Sequence, residues 1–516
     1  MQRRFGTDRY AEGTGPEPGM RERETIGRSM SMFDDSDDGN DGLRGNPRDL
    51  DESVRKYREA IRRGRMDEVR HALSNEALET IVQYCLDAGK HDDALTFAAM
   101  LADAMPYSHE AWHKKGLALA GLRRTEDALE CYRKALSFHP MDPDILVSTA
   151  MALDQAGQVD EAVQCFDKAL SVDPGNEDAL FNKAVMCEHR GWYKEAISLF
   201  EYVSESDRLG KEALFELGYC HDATKDYPQS LRAYDRCIDL DPYDHNAWFN
   251  RSVVLGRMGK HSDALESYDM TLAIKADFAS AWYNRGNTLV QLGKMTDAVE
   301  SYRESLRYDI ADVSTWHNMA SALEESGKFA EAIEAFSKAL LIDPRHVESY
   351  FGRGTCYDAL SKFPKALEDY QCALALKSDR ADIWYAKADA LVQCGRRSDA
   401  LLSFRTSLDL CDTDPECWFD YGTALLDSAR PVEALEAFRN AMRCAPLWID
   451  AYVAITRTYA LLRDMEEAAV YLLKAYGLDP SKKDDITAYL RSVLPQQTVD
   501  TVLLTLRGLR GPTLLR

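Results

Sequence analysis

His109-Glu110-Ala111-Trp112-His113 is the one stretch of this sequence with a ready arrangement for catalysis. On a helix, imidazoles at i and i+4 share one face and can grip a zinc ion, and the glutamate between them can act as general base toward a metal-bound water. Gly116 falls where the extended form of this pattern carries a glycine. The chemistry would be metal-assisted hydrolysis by His109, Glu110 and His113. The helix that must present these residues therefore decides the matter.

That helix belongs to a repeat. Residues 247–274 align with 281–308 at a shift of 34, and the same ruler runs from 75 to 482 as twelve units without insertion or deletion. A small residue recurs at Ala94, Ala128, Ala162, Ala196, Ser230, Ala264, Ala298, Ala332, Ala366, Ala400, Ala434 and Ala468. Four residues later an aromatic follows in ten of the twelve units, Tyr132 and Phe166 among them, so both columns share one helical face. Earlier in each unit stands a bulky apolar residue (Trp112, Trp248, Trp282, Trp316, Trp384, Trp418). Four positions on comes a small one, such as Gly116, Gly218, Gly286, Gly354 or Gly422. Glycines at 157, 191, 259, 293, 327 and 395 suit the end of a first helix, and seven units close on a proline that stops a second. Each unit therefore reads as helix, tight turn, helix, short loop, and only stacked units could bury the apolar faces.

The pattern of Trp, Leu-Gly, Tyr, then Ala-x3-Phe, then a terminal proline at a 34-residue period resembles the tetratricopeptide repeat family and covers about four-fifths of the chain. The resemblance implies an all-α, right-handed α–α superhelix of about twelve repeats, with the first helices lining a concave groove. Residues 1–50, with five aspartates between 34 and 41, read as a disordered acidic and glycine-rich segment. Residues 51–74 read as an amino-terminal capping helix, 75–482 as the repeats, and 483–516 as carboxyl-terminal capping helices.

In register, the zinc pattern dissolves. Trp112 and Gly116 are demanded by the repeat, and Glu110 stands in a column that is acidic in nine of twelve units, where a carboxylate complements the helix dipole. His109 and His113 have column-mates at His245 and His317, and Leu119 occupies the place of a third ligand. A zinc-dependent hydrolase is the least favoured reading; no catalytic residue, metal or cofactor is expected.

Function should then sit in columns the core does not dictate. One column carries Phe249, Tyr283, Phe351 and Tyr385; the next carries Asn182, Asn250, Asn284 and Asn318. The resemblance implies that both line the groove. An asparagine amide can donate to one backbone group and accept from another, so copies at 34-residue intervals could hold an extended peptide whatever its side chains. The arrangement resembles the asparagine ladder of O-linked N-acetylglucosamine transferase repeats. The competing reading is that both columns merely pack between neighbours. Arg251, Arg285 and Arg353 suggest local salt bridges.

A net charge of −23 disfavours nucleic acid and anionic membranes as partners. Twelve cysteines without a C-x-x-C pair, and no apolar leader, suggest reduced thiols in a cytoplasm. The expected role is a non-enzymatic scaffold for a protein or peptide partner. A self-associating structural protein, and so a homo-oligomer, is the alternative.

Overall fold

The structure is a computed structural model describing residues 47–509, all of whose regular elements are helices. The expected disordered segment lies outside the described residues except for 47–50, which are helical. Where one capping helix is expected over 51–74, there are two, Pro47–Arg62 and Met66–Ala72, broken at Gly64 with φ +78°. Helix pairs follow from Asn75 to Leu478, and Lys483–Val493 and Gln496–Leu509 complete the described chain.

The helices keep the 34-residue register. Repeat 2 is His109–Gly121 and Thr125–Phe138, and repeat 7 is Ala279–Gln291 and Met295–Tyr308. All first helices but that of repeat 5, which begins one residue early at Gly210, start on the opening residue of a repeat, and in most the residue before it caps them. Ser74, Ser108, Asp142, Asn176, Asp244, Asp312 and Asp414 each accept a backbone N–H with their side chains. The fifteenth position of every repeat has positive φ. Glycine takes it seven times, and Arg123, Lys225, Ser361, Ala429 and Arg463 take it at 58–65°. The hairpin closure thus imposes the left-handed conformation even where a Cβ makes it costly.

The repeating tryptophan pins the preceding loop. The indoles of Trp112, Trp248, Trp316, Trp384 and Trp418 each donate to the carbonyl six residues upstream, at 2.7–3.0 Å. The small column does what its size suggests. A Cβ on Gly116, Gly218, Gly286, Gly354 or Gly422 would come within 2.3–2.7 Å of the aromatic ring of its own repeat's second helix. The two helices of a repeat therefore meet ring against backbone.

The chain divides into two compact units at residues 276 and 277. In the amino-terminal unit one core runs from Val54 to Ala118 and a larger one from Leu119 to Val254. In the carboxyl-terminal unit one core spans Phe351–Ala424. Another begins at Leu425 and ends on Ile486, Leu490, Val499, Val502 and Leu506, so the last two helices cover the final repeat.

Candidate functional site

On each first helix, positions 2, 6, 9 and 13 are spaced i, i+4, i+7, i+11 and form a single face. The aromatic fifth position lies beside that face. Phe249, Tyr283, Phe351 and Tyr385 are all buried. Their rings sit 6.0–6.1 Å from those of Tyr268, Tyr302, Tyr370 and Phe404 on the second helix of the same repeat. These four residues are therefore packing residues, because a ring at that angle fills the seam between the paired helices.

The asparagine column behaves less uniformly. Asn182 and Asn284 are half-buried, and each Nδ2 donates to the carbonyl four residues back, of Asp178 at 2.8 Å and Ser280 at 3.0 Å. That bond fixes the amide plane and leaves Oδ1 and one N–H uncommitted. Asn250 is 4% exposed and its buried Oδ1 has no hydrogen-bond partner. Asn318 is 3% exposed and its Nδ2 donates to the Tyr283 hydroxyl at 3.1 Å and to Asn287 Oδ1 at 3.0 Å. Asn287 also accepts from the Tyr302 hydroxyl at 2.7 Å. Asn318 is thus an internal clasp between repeats 7 and 8, with both amide hydrogens spent.

The ninth position escaped sequence reasoning. In the amino-terminal unit it reads Gln83, Leu117, Met151, Val185, Tyr219 and Val253, all partly exposed and all but the first apolar. In the other unit it reads Asn287, Ser321, Thr355, Asp389, Thr423 and Arg457. Comparing each column between the two halves of the sequence would have exposed this change from apolar to polar. Also missed were carboxylates at position 12, among them one half-buried and one buried. Asp154 pairs with Arg190 at 2.6 Å, and Asp222, only 6% exposed, pairs with Arg257. Burial raises the Asp222 carboxyl above its ordinary range, opposed by the Arg257 guanidinium.

The expected local salt bridges are present at Arg251 and Arg353, while Arg285 reaches a hydroxyl. Arg251 bonds Asp235 at 2.7 Å, Arg353 bonds Asp369 through two nitrogens, and Arg285 donates to Ser301. Burial pushes the thiols of Cys85, Cys237 and Cys417 up to about 12, which removes them as nucleophiles at neutral pH.

The zinc-hydrolase pattern does not assemble. His113 turns to the next repeat, its Nε2 lying 2.9 Å from Ser148 Oγ and its ring against Tyr132. Burial lowers its imidazole to about 4, so it stays neutral. His109 lies instead beside His139, their ring centroids 5.0 Å apart.

Family models agree with this architecture. The model for the "Psidin, N-terminal TPR repeats region" matches residues 80–196. Tetratricopeptide repeat models match 190–245, 249–312 and 357–416, with others on 312–379 and 449–482. The chain belongs to the tetratricopeptide repeat proteins, and as such is a protein-interaction scaffold. No curated protein matches it. Among solved structures, YrrB, described as a TPR protein with an unusual peptide-binding site, is 25% identical. That match covers 35% of this chain and 94% of YrrB, with a TM-score of 0.33. The structure of the APC/C hetero-tetramer Cut9–Hcn1 matches at 14% identity over 80% of this chain and 90% of its own, with a TM-score of 0.36. A tetratricopeptide repeat protein from Parabacteroides merdae ATCC 43184 matches at 18% identity over 46% and 93%, also at 0.36. No helix among the described residues is long and apolar enough to cross a membrane.

Proposed function

We propose that this scaffold, without catalysing a reaction of its own, holds an extended segment of a partner protein against positions 2, 6, 9 and 13 of its first helices. The amide column carries the reading. Asn182 and Asn284 have one N–H tied to their own helix and the rest of the amide free. An extended backbone presents N–H and C=O groups in alternation, which such amides can bond without regard to sequence. In the amino-terminal unit, Leu117, Met151 and Val185 would add apolar contact. In the carboxyl-terminal unit, Asn284 has polar neighbours instead. Asn318 and the four buried aromatics support this face from behind rather than touching the segment.

Self-association through an apolar terminal helix has less to rest on, since Val499, Val502 and Leu506 are already buried in the core of the last repeats.

Peptides selected on the protein from a random library, then titrated by fluorescence anisotropy, test the proposal. Asn182→Ala and Asn284→Ala should each leave helicity intact and weaken binding by about 2- to 10-fold, the worth of one hydrogen bond. Affinity unchanged in both variants would refute the amide contact.

A further inference from the structure

One histidine of the dissolved motif acquires partners that the motif does not contain. His109 opens the first helix of repeat 2, and His139 follows the last residue of that repeat's second helix. Asp142 ends the loop and caps the first helix of repeat 3. The repeat's own hairpin brings together residues thirty apart in sequence. One ligand atom from each of the three lies within 4.8 Å of the others, the single such grouping of His, Cys, Asp or Glu among the described residues.

The atoms are spaced as ligands are. His109 Nε2 is 3.7 Å and His139 Nδ1 3.4 Å from Asp142 Oδ2. Bonds of about 2.0–2.1 Å at a tetrahedral angle place ligand atoms roughly 3.3 Å apart. Small rotations of two imidazoles would reach that figure. Both separations are long for a hydrogen bond, so the trio is not a closed hydrogen-bonded network. The carboxylate is held in place from behind. Asp142 Oδ1 accepts the backbone N–H of Asp144 at 3.1 Å and of Ile145 at 3.2 Å, leaving Oδ2 toward the histidines. Outer bonds of this kind orient a ligand before the metal arrives. His139 is exposed, which gives an ion an entry path and its ring freedom to turn. The carboxyl end of the helix before His139 favours a cation and offsets the two helix amino ends nearby.

We propose that His109, His139 and Asp142 form a divalent transition-metal site, zinc being the ion that two imidazoles and one carboxylate suit best, with a fourth position open to water or a partner's side chain. Bound there, the ion ties repeat 2 to the first turn of repeat 3 across the loop that joins them. His113, turned toward Ser148, takes no part.

Cobalt(II) titration of the full-length protein, followed by visible absorption and by displacement with zinc, tests this. One equivalent should bind with the spectrum of a nitrogen- and oxygen-ligated ion and without thiolate charge-transfer bands. His139→Gln changes an exposed residue, and Asp142→Asn keeps a good helix cap. Each should weaken that equivalent about tenfold or more, with circular dichroism unchanged, while His113→Gln should leave it as in the native protein. Titration of His139→Gln indistinguishable from native, or thiolate bands on the bound equivalent, would overturn the assignment.

Discussion

Gly286→Ala should destabilise the protein although alanine is the better helix former. A Cβ at 286 would lie 2.5 Å from Cε1, 2.7 Å from Cδ1 and 2.9 Å from Cζ of Tyr302. Comfortable carbon contacts begin near 3.5 Å, so the ring must retreat by about 1 Å. It has nowhere to go. Tyr302 is wholly buried and its hydroxyl is bonded to Asn287, which also receives the Asn318 amide. Overpacking of this sort costs roughly 1–3 kcal/mol, against a propensity gain of about 1 kcal/mol. The net loss should be about 1 kcal/mol. Gly256 is the control: it is also helical, and nothing stands within 4 Å of an added Cβ, so Gly256→Ala should gain up to about 1 kcal/mol. Urea midpoints followed by circular dichroism compare the two, read as midpoints because stacked repeats need not unfold in one step. Equal stabilisation in both variants would show that the small column is not a contact between helix and ring.

Two further outcomes follow from buried polar groups. His113 is neutral in the folded protein, with its imidazole lowered to about 4 from 6.5, so the unfolded chain binds the proton more readily. Stability should fall as pH drops from about 6.5 toward 4, and His113→Gln should flatten that part of the profile in urea midpoints measured at pH 7 and pH 5. Asn318→Ala should lower the melting temperature by breaking the clasp to Tyr283 and Asn287, at a cost of about 1–3 kcal/mol. Unlike Asn182→Ala, it should leave the affinity for a selected peptide within twofold in anisotropy.

Many helix boundaries were legible because a local residue writes them. A capping Ser, Asp or Asn precedes many of the first helices, and the turn after the first helix shows most clearly where glycine accepts positive φ. Position 15 of repeats 2, 5, 9, 11 and 12 carries the same backbone without glycine, since closure of the pair outweighs the preference of one residue. The site was less legible for a geometric reason. Positions 5 and 6 are one residue apart, about 100° around a helix, and periodicity alone does not say which borders the second helix. Tyr283 went to the seam, and Asn284 stayed half-buried with its amide bonded to its own helix. Asn318 shares its column with Asn284 yet ends as a clasp, because Asn287 in the preceding repeat offers an acceptor. His109 and Asp142 meet only through the folded hairpin, which no short motif can display.

The scaffold proposal is tested most directly by photo-crosslinking to a selected peptide. Gln155 is exposed at position 13 of a first helix, on the proposed binding face, and Ser198 is exposed on a second helix. With benzoylphenylalanine at 155 the peptide should be captured, and with it at 198 it should not. Capture from 198 alone, or equally from both, would contradict the assignment of the first-helix face as the place where the partner lies.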